Sequence, residues 1–389
     1  MKNVTEIIDY CQELYGDLNF TVAREWKAAD KSRKIIGYMP VYVPRELIHA
    51  GGMMALGVLG GGDQLEVIHG DAYYQSYICR IPRSTIELAI TKRLDFVDGM
   101  LFPSICDVIR NLSGMWKLML PGTYVRYFDV PQNFKDGVGG TYYRQELEEL
   151  REGLEGVAGR KITDDDIRRS TAIFNENRRL VEEVYAFRAK APWKAPSSEV
   201  YLLLRAGMVL PVEEHTQLMQ DYLAAAEAED RPMRDNCRII VQGSFCEQPP
   251  LNLVKSIEMA GCYIVDDDFM LITRWLMEDV PLDGDPLGNL ASAFLHQSVE
   301  TAAKYEPDGS RKGKFLIDSV RARAAEGVIF AAPSFCDPAL LDRPMLVRAL
   351  NDNAIPNISF KYAENSGQMQ PIREQAGTFA DSIKLWSEA

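Results

Sequence analysis

Two stretches decide how this chain is read: 98-DGMLFPSICD-107 and 326-EGVIFAAPSFCD-337. Each runs from an acidic residue through Gly and a short apolar run into Pro-Ser-x-Cys-Asp. An apolar run of this length, closed by turn residues, predicts a buried strand handing over to a helix. In both places a helical pattern precedes the strand, 85-TIELAITKR in one and 315-FLIDSVRARA in the other. A shortened relative, 243-GSFCE-247, follows the apolar run 237-CRIIV. One structural phrase therefore recurs, each time with a cysteine where strand gives way to helix.

Working outward, residues 34–141 alternate strand and helix patterns and residues 233–389 do so again, each with about four strands. This alternation predicts α/β architecture with helix-covered parallel sheets. The first strands also match: 35-II runs through 40-PVYVP into a helix closing at Ala50-Gly51, and 239-II runs through 243-GSFCEQPP into a helix closing at Ala260-Gly261. The expected fold is thus two repeated parallel-sheet halves of the Rossmann or flavodoxin type. Residues 1–33 read as an N-terminal helical segment and residues 142–232 as a helical link bracing the halves. In that link Thr163 precedes three Asp residues as an N-cap, and Ile167, Phe174 and Val181 recur at seven-residue spacing. The repeat offers four cysteine positions but fills three, because the counterpart of Cys246 falls within Val41–Val43.

Composition narrows the function. At 389 residues, 47% apolar and 25% charged, the chain is an ordinary globular protein of two or three domains. A formal charge of -13 argues against nucleic acid as a partner, since phosphate binding needs concentrated Lys and Arg. No run of eighteen apolar residues is present, so no membrane span is expected, and MKNVTEIIDYCQELYG is an amphipathic helix without the apolar core of a signal peptide. The expected compartment is the cytoplasm. Seven widely spaced cysteines do not form a secreted disulfide framework. Cys11, Cys237 and Cys262, inside helix or strand patterns, read as core residues, and Cys79 is intermediate.

Cys106, Cys246 and Cys336 read otherwise. Ligands gather at the carboxyl ends of parallel strands, and a helix N-terminus there lowers a thiol's pKa. If the halves face each other, these three thiols meet in the cleft between them. Structural zinc prefers four ligands, commonly in paired C-x-x-C knuckles, and none is present. Three remote thiolates suit an iron-sulfur cubane with one iron left open. Asp107, Glu247 and Asp337 read as helix caps, and Asp266–Asp268 as a solvated strand-end loop. His49, His69, His215 and His296 show no metal spacing, and 60-GGGD lacks the Lys and spacing of a phosphate loop.

The three cysteine phrases, with 40-PVYVPRELIHAGG and 362-YAENSGQMQPIREQA, resemble the family of 2-hydroxyacyl-CoA dehydratases and ATP-dependent benzoyl-CoA reductases over nearly the whole chain. Within it, 74-YQSYICRIPR, 261-GCYIVDDDF and the C-terminal stretch from Glu364 look most like the C (gamma) subunits of class I benzoyl-CoA reductases. The dehydratases typically carry Gly-Gln-x-x-Thr-Arg-x-Gln-Ala near the C-terminus, whereas here Gly367-Gln368 leads through Pro371 and Arg373 to Gln375-Ala376 in a longer version. The resemblance implies a [4Fe-4S] cluster on Cys106, Cys246 and Cys336, a homologous B subunit, and an ATP-hydrolysing iron-sulfur activator fed by reduced ferredoxin. It implies reduction of benzoyl-CoA, or a related acyl-CoA, to cyclohexa-1,5-diene-1-carbonyl-CoA. A dehydratase subunit working through a ketyl radical is the alternative reaction, and a non-catalytic scaffold or cluster-maturation partner the alternative class. For the CoA moiety the candidates are Arg80 and Arg83 with Tyr73, Tyr74 and Tyr77, against an ordinary helix-start surface and core tyrosines.

Overall fold

The computed structural model describes residues 3–243, 249–300, 311–363 and 369–387. Cys246, Glu247, Gly367 and Gln368 lie outside the described residues. Helices α1 (Val4–Gly16) and α2 (Thr21–Ala28) lead into β1 (Ile35–Tyr38), α3 (Arg45–Ala50), β2 (Met54–Gly57), α4 (Arg80–Ile90), β3 (Gly99–Pro103), α5 (Asp107–Met119) and β4 (Tyr124–Phe128). Four helices follow: α6 (Thr141–Ala158), α7 (Asp164–Lys190), α8 (Ser197–Ala206) and α9 (Val212–Ala228). Alternation then resumes with β5 (Cys237–Gln242), α10 (Leu251–Met259), β6 (Cys262–Asp267), α11 (Leu271–Arg274) and α12 (Pro286–Gln297). The chain continues through α13 (Lys314–Ala322), β7 (Gly327–Pro333), α14 (Asp337–Asp352), β8 (Asn357–Tyr362) and α15 (Met369–Ser387).

Both sheets are four-stranded and parallel, in the orders β2-β1-β3-β4 and β6-β5-β7-β8. The second order is the first with each strand number raised by four, so the repeat expected from the sequence is present in the topology. β3 and β7 are buried along their whole length, which is why they read as unbroken apolar runs.

The opening residues of the phrase have matching duties in the two halves. The Asp98 carboxylate accepts the Ile35 amide at 2.9 Å, and the Glu326 carboxylate accepts the Arg238 amide at 2.7 Å. Ile35 and Arg238 hold equivalent places, one residue before the partners of Gly99 and Gly327 across the ladder. Glycine follows the acid because a neighbour lies over the strand start in each case. A Cβ at Gly99 would stand 2.8 Å from Ile36, and one at Gly327 would stand 2.7 Å from Phe379.

Helix α7 starts at Thr163 with a reciprocal capping box and three acidic residues in its first turn. Its middle grips α3, with Arg178 on Glu46 at 2.8 Å, and its end grips β6, with Arg188 on Asp267 at 2.6 Å. Arg274 of α11 adds Glu182 of α7 at 2.6 Å and Asp266 at 2.9 Å. The reading of Asp266–Asp268 as a solvated loop is therefore corrected: all three are buried at the end of β6. Burial alone would push the Asp266 carboxyl up, but Arg274, Arg188 and Arg323 hold it below its ordinary range. The four histidines likewise sit in local contacts. His49 meets Ser170 and Glu213, His69 meets Glu87, His215 meets Asn177 and Leu203, and His296 meets Asp136.

Candidate functional site: a cysteine-lined cavity between the sheets

In each sheet the third strand in sequence lies beside the first, with the second on the first's other side. That is the switch point of a doubly wound sheet, where adjoining loops part and leave a crevice beyond the strand ends. The Pro-Ser-x-Cys-Asp turns leave the sheets there. Ser104 donates its amide to Phe128 at 2.9 Å, and Ser334 donates to Tyr362 at 2.7 Å, so each turn is tied to the last residue of the neighbouring strand. Cys106 and Cys336 then occupy the N-cap positions of α5 and α14.

The two cysteines line one cavity of about 550 Å³, together with Cys79 and an apolar wall that includes Ile81, Ile105 and Leu341. Its lining comes from both halves, as the facing of the two sheets requires. Cys79 reaches it as the N-cap of α4, at the end of the long connection from β2. The sequence placed no thiol from that loop in the site. The available signal was its position, since Cys79 stands directly before a helix as Cys106 and Cys336 do.

The turns divide their residues differently. Ile105 is buried while Cys106 is partly exposed. In the second half Phe335 is 49% exposed, with φ at 67°, and Cys336 is 5% exposed. Asp107 and Asp337 stand in the first helical turn, one place after the N-cap cysteines, so their contribution is the favourable end of the helix dipole and not a cap.

The expected depression of thiol pKa is not what the geometry gives at Cys106. Burial pushes this thiol up, and the amides of Ile109 and Val108, which hydrogen-bond the sulfur, pull it only part of the way back; neighbouring Cys336 and Asp107 oppose ionisation further. A bound metal reverses that balance, because its positive charge dominates the local field. Tyr74 lies close to two of the cavity's thiols. Its buried hydroxyl has no hydrogen-bond partner among the described residues, and burial, with Cys79 and then Cys106 nearby, raises its pKa. Tyr73 and Tyr77, on the same loop, are exposed.

Arg80 and Arg83 line an adjoining, more polar cavity of about 440 Å³ that shares Phe335 with the first. Arg83 donates to Asp71 at 2.9 Å, Arg80 donates to the Leu65 carbonyl, and the Glu87 carboxylate accepts the amides of Ile68, His69 and Gly70 at 3.0, 2.6 and 2.8 Å. These bonds tie the β2–α4 connection to the first turns of α4, whose N-cap Cys79 lines the thiol cavity. Where the repeat would place a counterpart of Cys246, Val41–Val43 are buried. Tyr42 packs edge-on against Trp275 at 5.8 Å and Phe294 at 5.3 Å, so an aromatic joint between the halves occupies that place.

The donor set suits a polynuclear thiolate centre. No three His, Cys, Asp or Glu among the described residues converge as a single metal ion needs. A cubane spreads its thiolates over four corners, and here soft sulfur donors stand around a largely apolar cavity with backbone amides directed at one of them.

Parallel sheets repeated in one chain, with cysteine turns facing a shared cleft, define a class, and comparison with known proteins names it. Residues 40–383 match the family described as 2-hydroxyglutaryl-CoA dehydratase, D-component, and the chain belongs to that family. It is 70% identical over 385 residues to the C-type subunit of benzoyl-CoA reductase from Thauera aromatica, spanning 99% of this chain and 100% of that protein. It is 27% identical over 356 residues to the (R)-phenyllactyl-CoA dehydratase beta subunit of Clostridium sporogenes, covering 92% and 91% of the two chains. Identity to the (R)-2-hydroxyglutaryl-CoA dehydratase beta subunit of Acidaminococcus fermentans is 28% over 370 residues, covering 93% and 95%. No helix among the described residues is long and apolar enough to cross a membrane.

Proposed function

We propose that this chain is a subunit of an ATP-dependent benzoyl-CoA reductase and that it carries a [4Fe-4S] cluster on Cys106, Cys246 and Cys336. The observation that carries the reading is the meeting of Cys106 and Cys336, from equivalent turns of two sheets, in one cavity. The 70% identity to a benzoyl-CoA reductase subunit supports the reductase over the dehydratases, which match at 27% and 28%.

Such a cluster supplies one-electron chemistry at low potential, which dearomatising a benzoyl thioester to cyclohexa-1,5-diene-1-carbonyl-CoA requires. The chain's own residues give it a setting. An apolar wall lines one side of the site, the Val108 and Ile109 amides stabilise a thiolate at Cys106, and the Tyr74 hydroxyl is a neutral donor close to the sulfurs. The sequence holds no G-x-x-x-x-G-K-[ST] loop, so ATP hydrolysis falls to separate activator subunits, fed by reduced ferredoxin in the cytoplasm, and a homologous B subunit makes up the other half of the catalytic pair. Arg80 and Arg83 are candidates to meet the CoA phosphates through the polar cavity beside the thiols, with Tyr73, Tyr74 and Tyr77 on the same loop.

The test is anaerobic purification of the complex, followed by iron analysis, EPR and electron counting with benzoyl-CoA. Consumption of two electrons and ATP in every turnover is expected, whereas a dehydratase consumes no electrons stoichiometrically. Cys336→Ser is expected to remove one cubane's iron from the complex. Unchanged iron in that variant would sink the assignment.

A further inference from the structure

The proposed ligands leave one corner of a cubane without a thiolate from this chain, and the repeat supplies none, because Tyr42 and its neighbours fill that place with aromatic packing. Another loop brings the missing sulfur. The connection from β2 to α4 is tied to that helix by Arg80, Arg83 and Glu87, and it ends with Cys79, the N-cap of α4 and a lining residue of the cavity. Three helices, α4, α5 and α14, therefore begin on the same cavity, each with a cysteine at its N-cap. This is the position in a helix that best favours a thiolate once a metal offsets burial. Tyr74, five positions before Cys79, has a buried hydroxyl with no hydrogen-bond partner among the described residues, close to Cys79 and Cys106.

We infer that Cys79 is a fourth ligand, closing the iron that the other three cysteines leave open. The inference rests on the cluster reading above and revises one part of it. A cubane held by four thiolates would have no vacant position for substrate, so a cluster in this subunit would pass electrons on and would not itself bind the aromatic ring. On binding iron, Cys79 gives up its thiol proton to solvent and gains the charge compensation that the other thiolates share.

The experiment uses the anaerobically purified complex. Alkylation followed by peptide mass spectrometry of this chain reports each cysteine separately. Cys79 is expected to resist labelling while iron is bound and to label, with Cys106 and Cys336, once a chelator removes it under native conditions. Cys79→Ala, which cannot ligate, is then compared with Cys79→Ser, which keeps the shape. Mild oxidation of the alanine variant is expected to release one iron and to give a [3Fe-4S] EPR signal beyond that of the unmodified complex. Equal labelling of Cys79 with and without iron, or an oxidation response unchanged by both substitutions, would overturn the inference and leave the three-cysteine cluster standing. Full iron retention in Cys336→Ser would instead remove the cluster reading itself.

Discussion

Two buried polar regions of this molecule invite comparison: the brace along α7 and the cavity at the ends of β3 and β7. In the brace each buried charge has an opposite charge close by, at 2.6 Å for Arg188 and Asp267 and 2.8 Å for Arg178 and Glu46. The cavity is lined by the thiols of Cys79, Cys106 and Cys336 together with Ser104, Gln132, Asp107, Asp337 and Asp342, and near the thiols the Tyr74 hydroxyl has no hydrogen-bond partner among the described residues. Both regions leave polar atoms without a hydrogen-bond partner among the described residues, Nε of Arg178 and Nε and Nη2 of Arg188 in the brace and the Tyr74 hydroxyl near the thiols, so the difference is one of charge. The brace closes its charges on one another, whereas the cavity gathers thiols with no cationic side chain among its described lining residues, the setting a bound metal would complete. The brace holds the two sheets in register, and the cavity is what that register encloses.

The sharpest way to break the comparison is to unpair the brace. Asp267→Asn leaves the Arg188 guanidinium, 1% exposed, without its countercharge. Removing one member of such a pair destabilises by about 3–5 kcal/mol. Chemical denaturation of the complex should show that loss, while the iron content of the protein that remains folded stays at the unmodified level. A comparable loss of iron in the folded fraction would mean that the brace and the cavity are not separable.

A second contrast lies inside the cavity. The two turns share Pro-Ser-x-Cys-Asp, yet the first buries Ile105 and the second exposes Phe335. Ile105→Ala should therefore cost about 2–4 kcal/mol, as core truncations do, and Phe335→Ala less than about 0.5 kcal/mol. Thermal melts of the two variants measure the difference directly. Equal costs would show that the turns are equivalent in energy despite their different exposure.

These contrasts also mark what can be read from the sequence. The strands are legible because β3 and β7 are buried on both faces and write themselves as continuous apolar runs. The repeat is legible because the acid, glycine and cysteine of the phrase each do the same work in both halves, down to the Asp98 and Glu326 carboxylates on equivalent amides. Asp266–Asp268 mislead because their partners are remote: Arg188 lies 79 positions from Asp267. A local acidic run looks solvated until the fold supplies such cations. Cys79 reads ambiguously for a related reason, since it belongs to a connection outside the repeat. The Cys106 pKa goes the other way from expectation because burial outweighs two helix amides.

The smallest effect separates the regions by pH. His215 is buried beneath the brace with its ring fixed as the neutral tautomer: Nδ1 accepts from Asn177 at 3.1 Å, and Nε2 donates to the Leu203 carbonyl at 3.2 Å. The ring packs so closely on Gly207 that a Cβ there would stand 2.5 Å from it. Burial, with Arg45 nearby, lowers its pKa to about 3. The unfolded chain takes up this proton near pH 6.5, and the folded one does not, so the stability His215 contributes is complete above that value and is lost as pH falls toward the folded pKa. Between pH 6.5 and 5 the loss should approach about 1.4 kcal/mol per pH unit, or roughly 2 kcal/mol in all. Denaturation midpoints of the unmodified protein and His215→Gln over that range isolate the imidazole from the carboxylates titrating beside it. The glutamine variant should start lower and fall less steeply. Parallel slopes would show that the imidazole takes up its proton equally in the folded and the unfolded chain, so that burial does not hold it neutral.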